Sequence, residues 1–321
     1  MASIADRFRG RVVPAVPVPF SADGNIDVEL QNAYVTWMAG QEIGGVAVWA
    51  HTGRGPKLTD EQREQVARAW SAGLDGQALI CGVGVSGSVA LPSDPASLTE
   101  TALRAVRDSA EAARDYGAEA ALVHPPKMLS DLPDVEERIL DYHRAAGAAG
   151  IPLIAFFLYE AAGGVSYSPG LIRRLLELDE VIGIKVATLD SVMTYQDIIG
   201  VAKAVPGALP ITGEDRFLGY SLAAGARAAL IGMAAAVTDR CAALLTAHAA
   251  EQWDDFHALS SAMDTFSQAT FVAPMEGYVQ RMLWALEADG VFTRPAFDPW
   301  CPTLHSDERD RVFAAVRALR S

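Results

Sequence analysis

Eight times along the chain a short β-branched or apolar run is followed by a longer stretch with helical periodicity. The runs are Val12–Phe20, Gly44–Ala50, Ala78–Val83, Ala118–His124, Ile151–Tyr159, Val181–Val186, Leu209–Thr212 and Ala228–Ala234. The helical stretches that follow begin at Asp27, at Thr59, near Thr99, near Val135, at Ser168, at Ser191, after Thr212 and near Thr238. Two openings carry clear local signals. Thr59-Asp60-Glu61-Gln62 matches a capping box, and Ser168-Pro169 places proline at the first helical position. Parallel strands need crossover connections, and helices supply them, so the alternation predicts a parallel sheet. The count of eight predicts a closed (β/α)8 TIM barrel over residues 1–250. Residues 251–321 read as a C-terminal helical extension, interrupted by a loop at Pro299-Trp300-Cys301-Pro302. After the first strand comes Pro17-Val18-Pro19-Phe20 rather than a glycine fingerprint opening a helix, which argues against a dinucleotide-binding sheet. No phosphate-loop sequence and no Gly-x-Ser-x-Gly elbow are present.

Composition narrows the function. Of 321 residues half are hydrophobic, and 26 basic against 40 acidic residues give a net charge of −14. That charge repels phosphate backbones and anionic lipid, so neither nucleic acid nor a membrane surface is expected as a partner. Three separated cysteines (Cys81, Cys241, Cys301) form no CxxC pair and fit buried thiols in a reducing compartment. Residues 1–20 hold no continuous apolar run of the signal-peptide kind, and no stretch is long enough to span a bilayer. A cytoplasmic location is the expectation. Only four of the 26 basic residues are lysines, at 57, 127, 185 and 203.

In a barrel, reactive groups sit at the C-terminal ends of the strands and in the loops that follow. Lys185 lies there, flanked by Ile184 and Val186, in a chain that otherwise uses arginine. Desolvation lowers an ammonium pKa, and a neutral amine is what imine chemistry requires; arginine cannot supply one. The same spacing fits a lysine reaching solvent, or one paired with Glu214 or Asp215. The loop Ala50-His51-Thr52-Gly53-Arg54-Gly55 offers amides, a hydroxyl, an imidazole and a guanidinium that could hold a carboxylate, or it is an ordinary connecting loop. Tyr159 and Glu160 end the fifth strand and could move a proton. His124 and Gly213-Glu214-Asp215 complete the set. His51, His124, Glu160 and Glu214 could alternatively meet around a divalent metal, though they carry no diagnostic spacing. The remaining histidines His143, His248 and His257 sit in helical stretches and read as packing or surface residues.

Together these segments resemble the dihydrodipicolinate synthase / N-acetylneuraminate lyase superfamily of class I aldolases. The resemblance covers most of the chain. It runs from Val13–Phe20 with Asp23-Gly24 and Ile26-Asp27, through Thr52-Gly53 and Leu58–Arg63, to Gly183-Ile184-Lys185 and Gly213-Glu214-Asp215. The resemblance implies a (β/α)8 barrel, commonly a homotetramer, with no cofactor. It also implies that Lys185 forms an imine with the ketone of a 2-oxo acid such as pyruvate or a 2-keto-3-deoxy sugar acid, for aldol cleavage, condensation or dehydration. Thr52 and its neighbours His51, Gly53, Arg54 and Gly213 become the implied substrate-binding group. The family's strand-five tyrosine falls on Phe156 when counted from Pro152, and on Tyr159 when the Leu-Tyr pair is matched. Tyr159 is the expected catalytic residue, because phenylalanine cannot relay a proton.

The departures from the family pattern carry their own expectations. The family's Gly-Thr/Ser-Thr-Gly-Glu loop reads Ala50-His51-Thr52-Gly53-Arg54 here. Pro125-Pro126-Lys127 replaces its Pro-Tyr-Tyr, and Ala161-Ala162-Gly163-Gly164 stands where the synthase carries a carboxylate-binding arginine. Dihydrodipicolinate synthesis itself is therefore not expected, and a non-catalytic paralogue that binds 2-oxo acids is the alternative from another class. Arg54 is expected to replace the lost arginine and to bind a second anionic group of the substrate, with His51 as an auxiliary acid or base. The competing expectation is that Arg54 pairs with an acid across a subunit interface.

Overall fold

Eight parallel strands form one sheet that curls almost shut, with helices outside it. The computed structural model describes residues 3–321; the first two residues of the expected N-terminal segment lie outside that range. The elements in chain order are α1 (Ile4–Phe8), β1 (Val12–Pro14), α2 (Val28–Ala39), β2 (Gly45–Val48), α3 (Asp60–Gly73), β3 (Ala78–Val83), α4 (Pro95–Asp115), β4 (Ala120–Val123), α5 (Val135–Gly147), β5 (Leu153–Leu158), α6 (Pro169–Leu176), β6 (Val181–Ala187), α7 (Val192–Ala204), β7 (Leu209–Thr212), α8 (Leu218–Ala224), β8 (Ala228–Ile231) and α9 (Thr238–Ala249). Three more helices, α10 (Trp253–Thr270), α11 (Tyr278–Ala288) and α12 (Glu308–Arg320), form the C-terminal extension. The strand order is β1-β8-β7-β6-β5-β4-β3-β2, and a parallel bridge between Ala15 and Ala47 joins the two ends. The eight-unit alternation therefore folds as the (β/α)8 barrel expected from sequence.

Local chemistry explains where the helices start. Thr59 accepts from the Gln62 amide while the Gln62 side chain accepts from the Thr59 amide, which satisfies two otherwise unpaired donors. Ser168 caps α6 in front of Pro169. The fourth helix begins at Pro95 rather than Thr99, because Asp94 accepts from the Ser97 amide and proline fits the first turn. The first strand is shorter than the apolar run suggested. Prolines at 14, 17 and 19 have no N–H to give a ladder, and after Pro14 only isolated bridges remain. The last strand stops at Ile231, where the chain turns into a 3-10 helix at Met233–Ala235, and α9 ends at Ala249, three residues before Gln252. The short helix α1 was not anticipated.

Strand alternation divides the apolar residues into two cores. Ile80, Leu122, Ile154, Leu209 and Leu230 fill the barrel interior, with Ala15, Ala47, Ala120 and Ala228 between them. The larger core lies between the sheet and the helices and continues into α10–α12. On β5 the alternation is regular: Ile154, Phe156 and Leu158 point inward and Leu153, Ala155 and Phe157 outward. On β6 it is interrupted. Leu153 pairs with Val181 and Ile154 with Gly183, so one extra residue sits on β6. Ile182 packs on the inner core, yet Ile184 and Val186 belong to the outer one. An extra residue in one strand reverses the facing of everything beyond it. The reversal turns Lys185, rather than its apolar neighbours, into the barrel.

Gly183 sits at this step. A Cβ there would lie 2.2 Å from the Leu209 carbonyl oxygen on β7. Gly183→Ala is expected to destabilise the protein by about 1–3 kcal/mol through forced backbone displacement. Urea unfolding checks this, and an unchanged midpoint would show that β6 and β7 tolerate a wider spacing here.

Candidate active site

A cavity at the C-terminal ends of the strands has Lys185 on its wall, with Phe156 and Leu158 from β5, Gly213–Asp215 after β7, His51 and Thr52 after β2, and Phe271, Met275 and Tyr278 from the extension. Lys185 is 6% exposed. Its Nζ lies 4.2 Å from the centroid of the Phe156 ring, the residue opposite it in the β5–β6 register. Burial pushes the ammonium well below its ordinary pKa, against the opposing pull of Asp215 and Glu214. Among the described residues no carboxylate oxygen comes within 4.0 Å of Nζ, so the amine is influenced by acids without being locked in an ion pair. Gly213 makes room for it, since a Cβ there would lie 2.6 Å from Lys185 Cε.

The two acids after β7 have different surroundings. Glu214 is 1% exposed, and one of its oxygens accepts from the Thr188 amide (2.5 Å) and hydroxyl (2.9 Å). The other accepts from the Leu189 amide at 3.2 Å. Burial nonetheless raises its pKa to about 7. Asp215 accepts from the Met233 amide at 2.6 Å, and burial raises its carboxyl while that amide and Lys185 oppose the shift. Burial brings the pKa values of this amine and this acid toward each other, and groups so matched can exchange a proton at small cost. Tyr159 also lines the cavity. Burial, helped by the Glu276 and Asp215 charges, raises its hydroxyl to about 12 and keeps it protonated near neutrality.

The loop after β2 is tied to the C-terminal extension. His51 Nε2 and Glu276 Oε1 are 2.8 Å apart, and the imidazole stacks on Tyr278 with ring centroids 6.2 Å apart. The Tyr278 hydroxyl donates to Thr52 Oγ1 at 3.0 Å, which leaves the Thr52 proton free to point elsewhere. The hydrogen bond from His51 and the neighbouring Arg54 hold Glu276 down to about 2. Arg281, fully buried, donates to the carbonyls of Thr270, Val272 and Pro274 and pairs with Glu308 at 2.7 Å, which fixes the segment carrying Phe271, Met275 and Glu276.

Lys185, Tyr159, His51, Thr52 and Gly213 line one cavity, whereas Gly53 and Arg54 are not part of its lining. The expected role of Arg54 as a second anion receptor is corrected by its partners. Its guanidinium donates to Asp298 at 2.7 and 3.2 Å, to the Glu276 carbonyl at 2.8 Å and to the Glu276 carboxylate. These acids belong to the same chain, so the interface alternative fails as well. The four groups proposed for a metal do not converge. Glu214 is taken up by residues 188 and 189, His51 by Glu276, and Glu160 accepts from Ser166, while His124 lines a neighbouring cavity with Arg63 and Ser86. Burial takes His124 down to about 4 and keeps it neutral. His143 is buried, with its Nδ1 2.7 Å from the Ile139 carbonyl. Sequence reasoning missed Tyr278, Glu276, Phe271, Met275 and Leu189. The only signal for the first four was Pro274, which marks a break between two helical stretches.

The chain shares its family and its fold with known proteins. Residues 8–319 match the sequence model of the Dihydrodipicolinate synthetase family. A 4-hydroxy-tetrahydrodipicolinate synthase of Synechococcus sp. strain WH7803 is 27% identical over 221 residues, 68% of this chain and 66% of that protein. One from Saccharophagus degradans is 30% identical over 220 residues, covering 68% and 67%. Over the first two curated relatives the chain spans 66% and 53% of their length. Among solved structures, the Ruminococcus gnavus sialic acid aldolase superimposes with a TM-score of 0.80 at 18% identity, covering 98% of this chain and 97% of that one. A prophage protein of the dihydrodipicolinic acid synthase family from E. coli K12, solved in complex with pyruvate, gives 0.79 at 20% identity, covering 97% and 98%. At these identities the structural likeness establishes the shared fold.

The Arg54 cluster yields a stability prediction. The Asp298 side chain is 1% exposed, so removing its partner leaves a charge buried and uncompensated. Arg54→Met should cost about 3–5 kcal/mol, and adding Asp298→Asn should recover part of that loss. Denaturant unfolding of the two single variants and the double variant checks this. Additive losses would show that the two groups do not depend on each other.

Proposed function

The chain belongs to the dihydrodipicolinate synthetase family, and on that premise we propose that it is a lyase forming a lysine imine with a 2-oxo acid such as pyruvate. The observation that carries the reading is the desolvated Lys185 amine, free of any ion pair, against the Phe156 ring. In its neutral form Nζ attacks the ketone carbon, and the carbinolamine then loses water to give the iminium. The iminium nitrogen carries the positive charge, and the face of Phe156 stabilises that charge where it forms. Loss of a proton from the adjacent carbon gives an enamine, whose carbon adds to an aldehyde; cleavage of the same bond is the reverse.

The remaining groups divide the work. Thr52, whose oxygen already accepts from Tyr278, donates its own hydroxyl proton to the substrate carboxylate. Tyr159, protonated near neutrality, gives and recovers the proton that carbinolamine dehydration and carbon–carbon bond making require. Asp215 takes part in neutralising the ammonium before attack. His51, held by Glu276 through Nε2 and lining the cavity, serves as an auxiliary acid or base. Synthesis of dihydrodipicolinate is not the reading favoured here. Pro125-Pro126-Lys127 holds no tyrosine, and Ala161–Gly164 holds no arginine for a second carboxylate. Arg54 cannot substitute while it is bonded to Asp298 and Glu276.

Borohydride added with pyruvate should leave one covalent adduct per chain by intact mass, and Lys185→Arg should abolish it. Tyr159→Phe should slow the formation of that adduct by roughly 10²-fold or more, the size of a lost acid–base group. Turnover without any adduct, abolished by a chelator, would replace this mechanism with a metal-assisted one.

A further inference from the structure

Leu189 stands in the loop between β6 and α7 with φ of +71°. A leucine in the left-handed region is strained, because its Cβ crowds the backbone; glycine or asparagine would occupy the same place with less strain. The strain is held by Glu214, whose buried carboxylate accepts from the amides of both Thr188 and Leu189. Leu189 is half-buried and contributes to the lining of the Lys185 cavity. A residue kept in an unfavourable conformation by a dedicated buried acid, with its side chain on the wall of a reactive cavity, points to a demand made by the ligand.

The other groups on that wall indicate the demand. Leu158, Phe271 and Met275 line the same cavity. Of its polar side chains, Thr52, His51 and Tyr159 stand at the reacting end, Glu214 is bonded to residues 188 and 189 and Asp215 to Met233, and the exposed Arg216 gives one nitrogen to the Phe271 carbonyl. A polyhydroxylated chain lying against Leu158, Leu189, Phe271 and Met275 would lose hydrogen bonds to water and find no polar side chain among these four in exchange. We propose that the substrate beyond its 2-oxo acid head is apolar, a branched aliphatic or aromatic group, and that Leu189 is a specificity-determining residue for it. This rests on the lysine-imine reading above and narrows it to apolar aldehydes, or the apolar 2-oxo acids they form, in preference to sugar acids. The step itself is unchanged: the enamine carbon bonds to the aldehyde carbon, and the aldehyde oxygen takes a proton.

The test compares 2-oxo acids that share one head and differ in their tails. Pyruvate, 2-oxo-4-phenylbutanoate and 2-keto-3-deoxygluconate are titrated against the protein and trapped with borohydride, and the half-saturating concentration is read by intact mass. The phenyl tail should trap at a concentration at least about tenfold lower than pyruvate, a range typical of apolar pocket contacts, and the hydroxylated tail should show no such gain. In Leu189→Asn the ratio between the phenyl acid and pyruvate should fall toward one while the melting temperature rises, because the backbone strain is relieved. A residue with a merely structural role would leave the ratio alone, whatever its replacement does to stability. Trapping of pyruvate with no advantage for the phenyl tail, or with an advantage for the hydroxylated one, overturns the apolar assignment alone. No trapping with any of the three overturns the imine reading, and the assignment with it.

Discussion

Placing one amine on the inner wall of a barrel otherwise lined by alanine, isoleucine, leucine and phenylalanine is the constraint on which the site depends. An ammonium in such surroundings is costly, and the structure lowers the cost by favouring the neutral form rather than by supplying a direct counter-ion. Three local features make the placement possible. The extra residue near Gly183 reverses the facing of β6 and brings Lys185 inward. Gly213 leaves room for its Cε, and Phe156 presents a ring face to its nitrogen. Replacing any one of these changes where the amine is or which protonation state it prefers.

The mouth of the site depends on a second constraint, the ion-pair cluster that joins the loop after β2 to the C-terminal extension. Arg54 spends its donors on Asp298 and Glu276, and Glu276 in turn orients His51. Arg281 does comparable work one layer deeper, holding the carbonyls of residues 270, 272 and 274. The extension therefore builds one wall of the cavity. A buried charge bonded to acids of its own chain positions its neighbours rather than a ligand, and this separates the role of Arg54 from that of His51.

The eight strand–helix units, the caps at Thr59 and Ser168 and the special character of Lys185 were legible in the sequence because each rests on local spacing or on a residue type used sparingly. The facing of β6 was not legible, since a single inserted residue changes parity without changing composition. Nor was the length of the first strand, where prolines end the ladder inside an apolar run. The partners of Arg54 lie 222 and 244 residues away in sequence, and only the closed fold brings them together. Leu189 escaped notice for a related reason: left-handed backbone at a leucine leaves no trace in residue order. Tyr159 and Phe156 both lie on the cavity wall, the first offering a proton and the second a π-face, so the ambiguity between them becomes a division of labour in the proposed chemistry.

The small number of lysines allows the central claim to be measured directly. Protein carrying ¹³C at lysine Cε should give signals from only four side chains, and Lys185→Met identifies the one that matters. Followed by NMR across an alkaline titration, the Lys185 signal should change at a pH at least one unit below the ordinary lysine value of about 10.4. Four lysines titrating together near that value would contradict the account, because the amine on the cavity wall would then be an ordinary, hydrated ammonium.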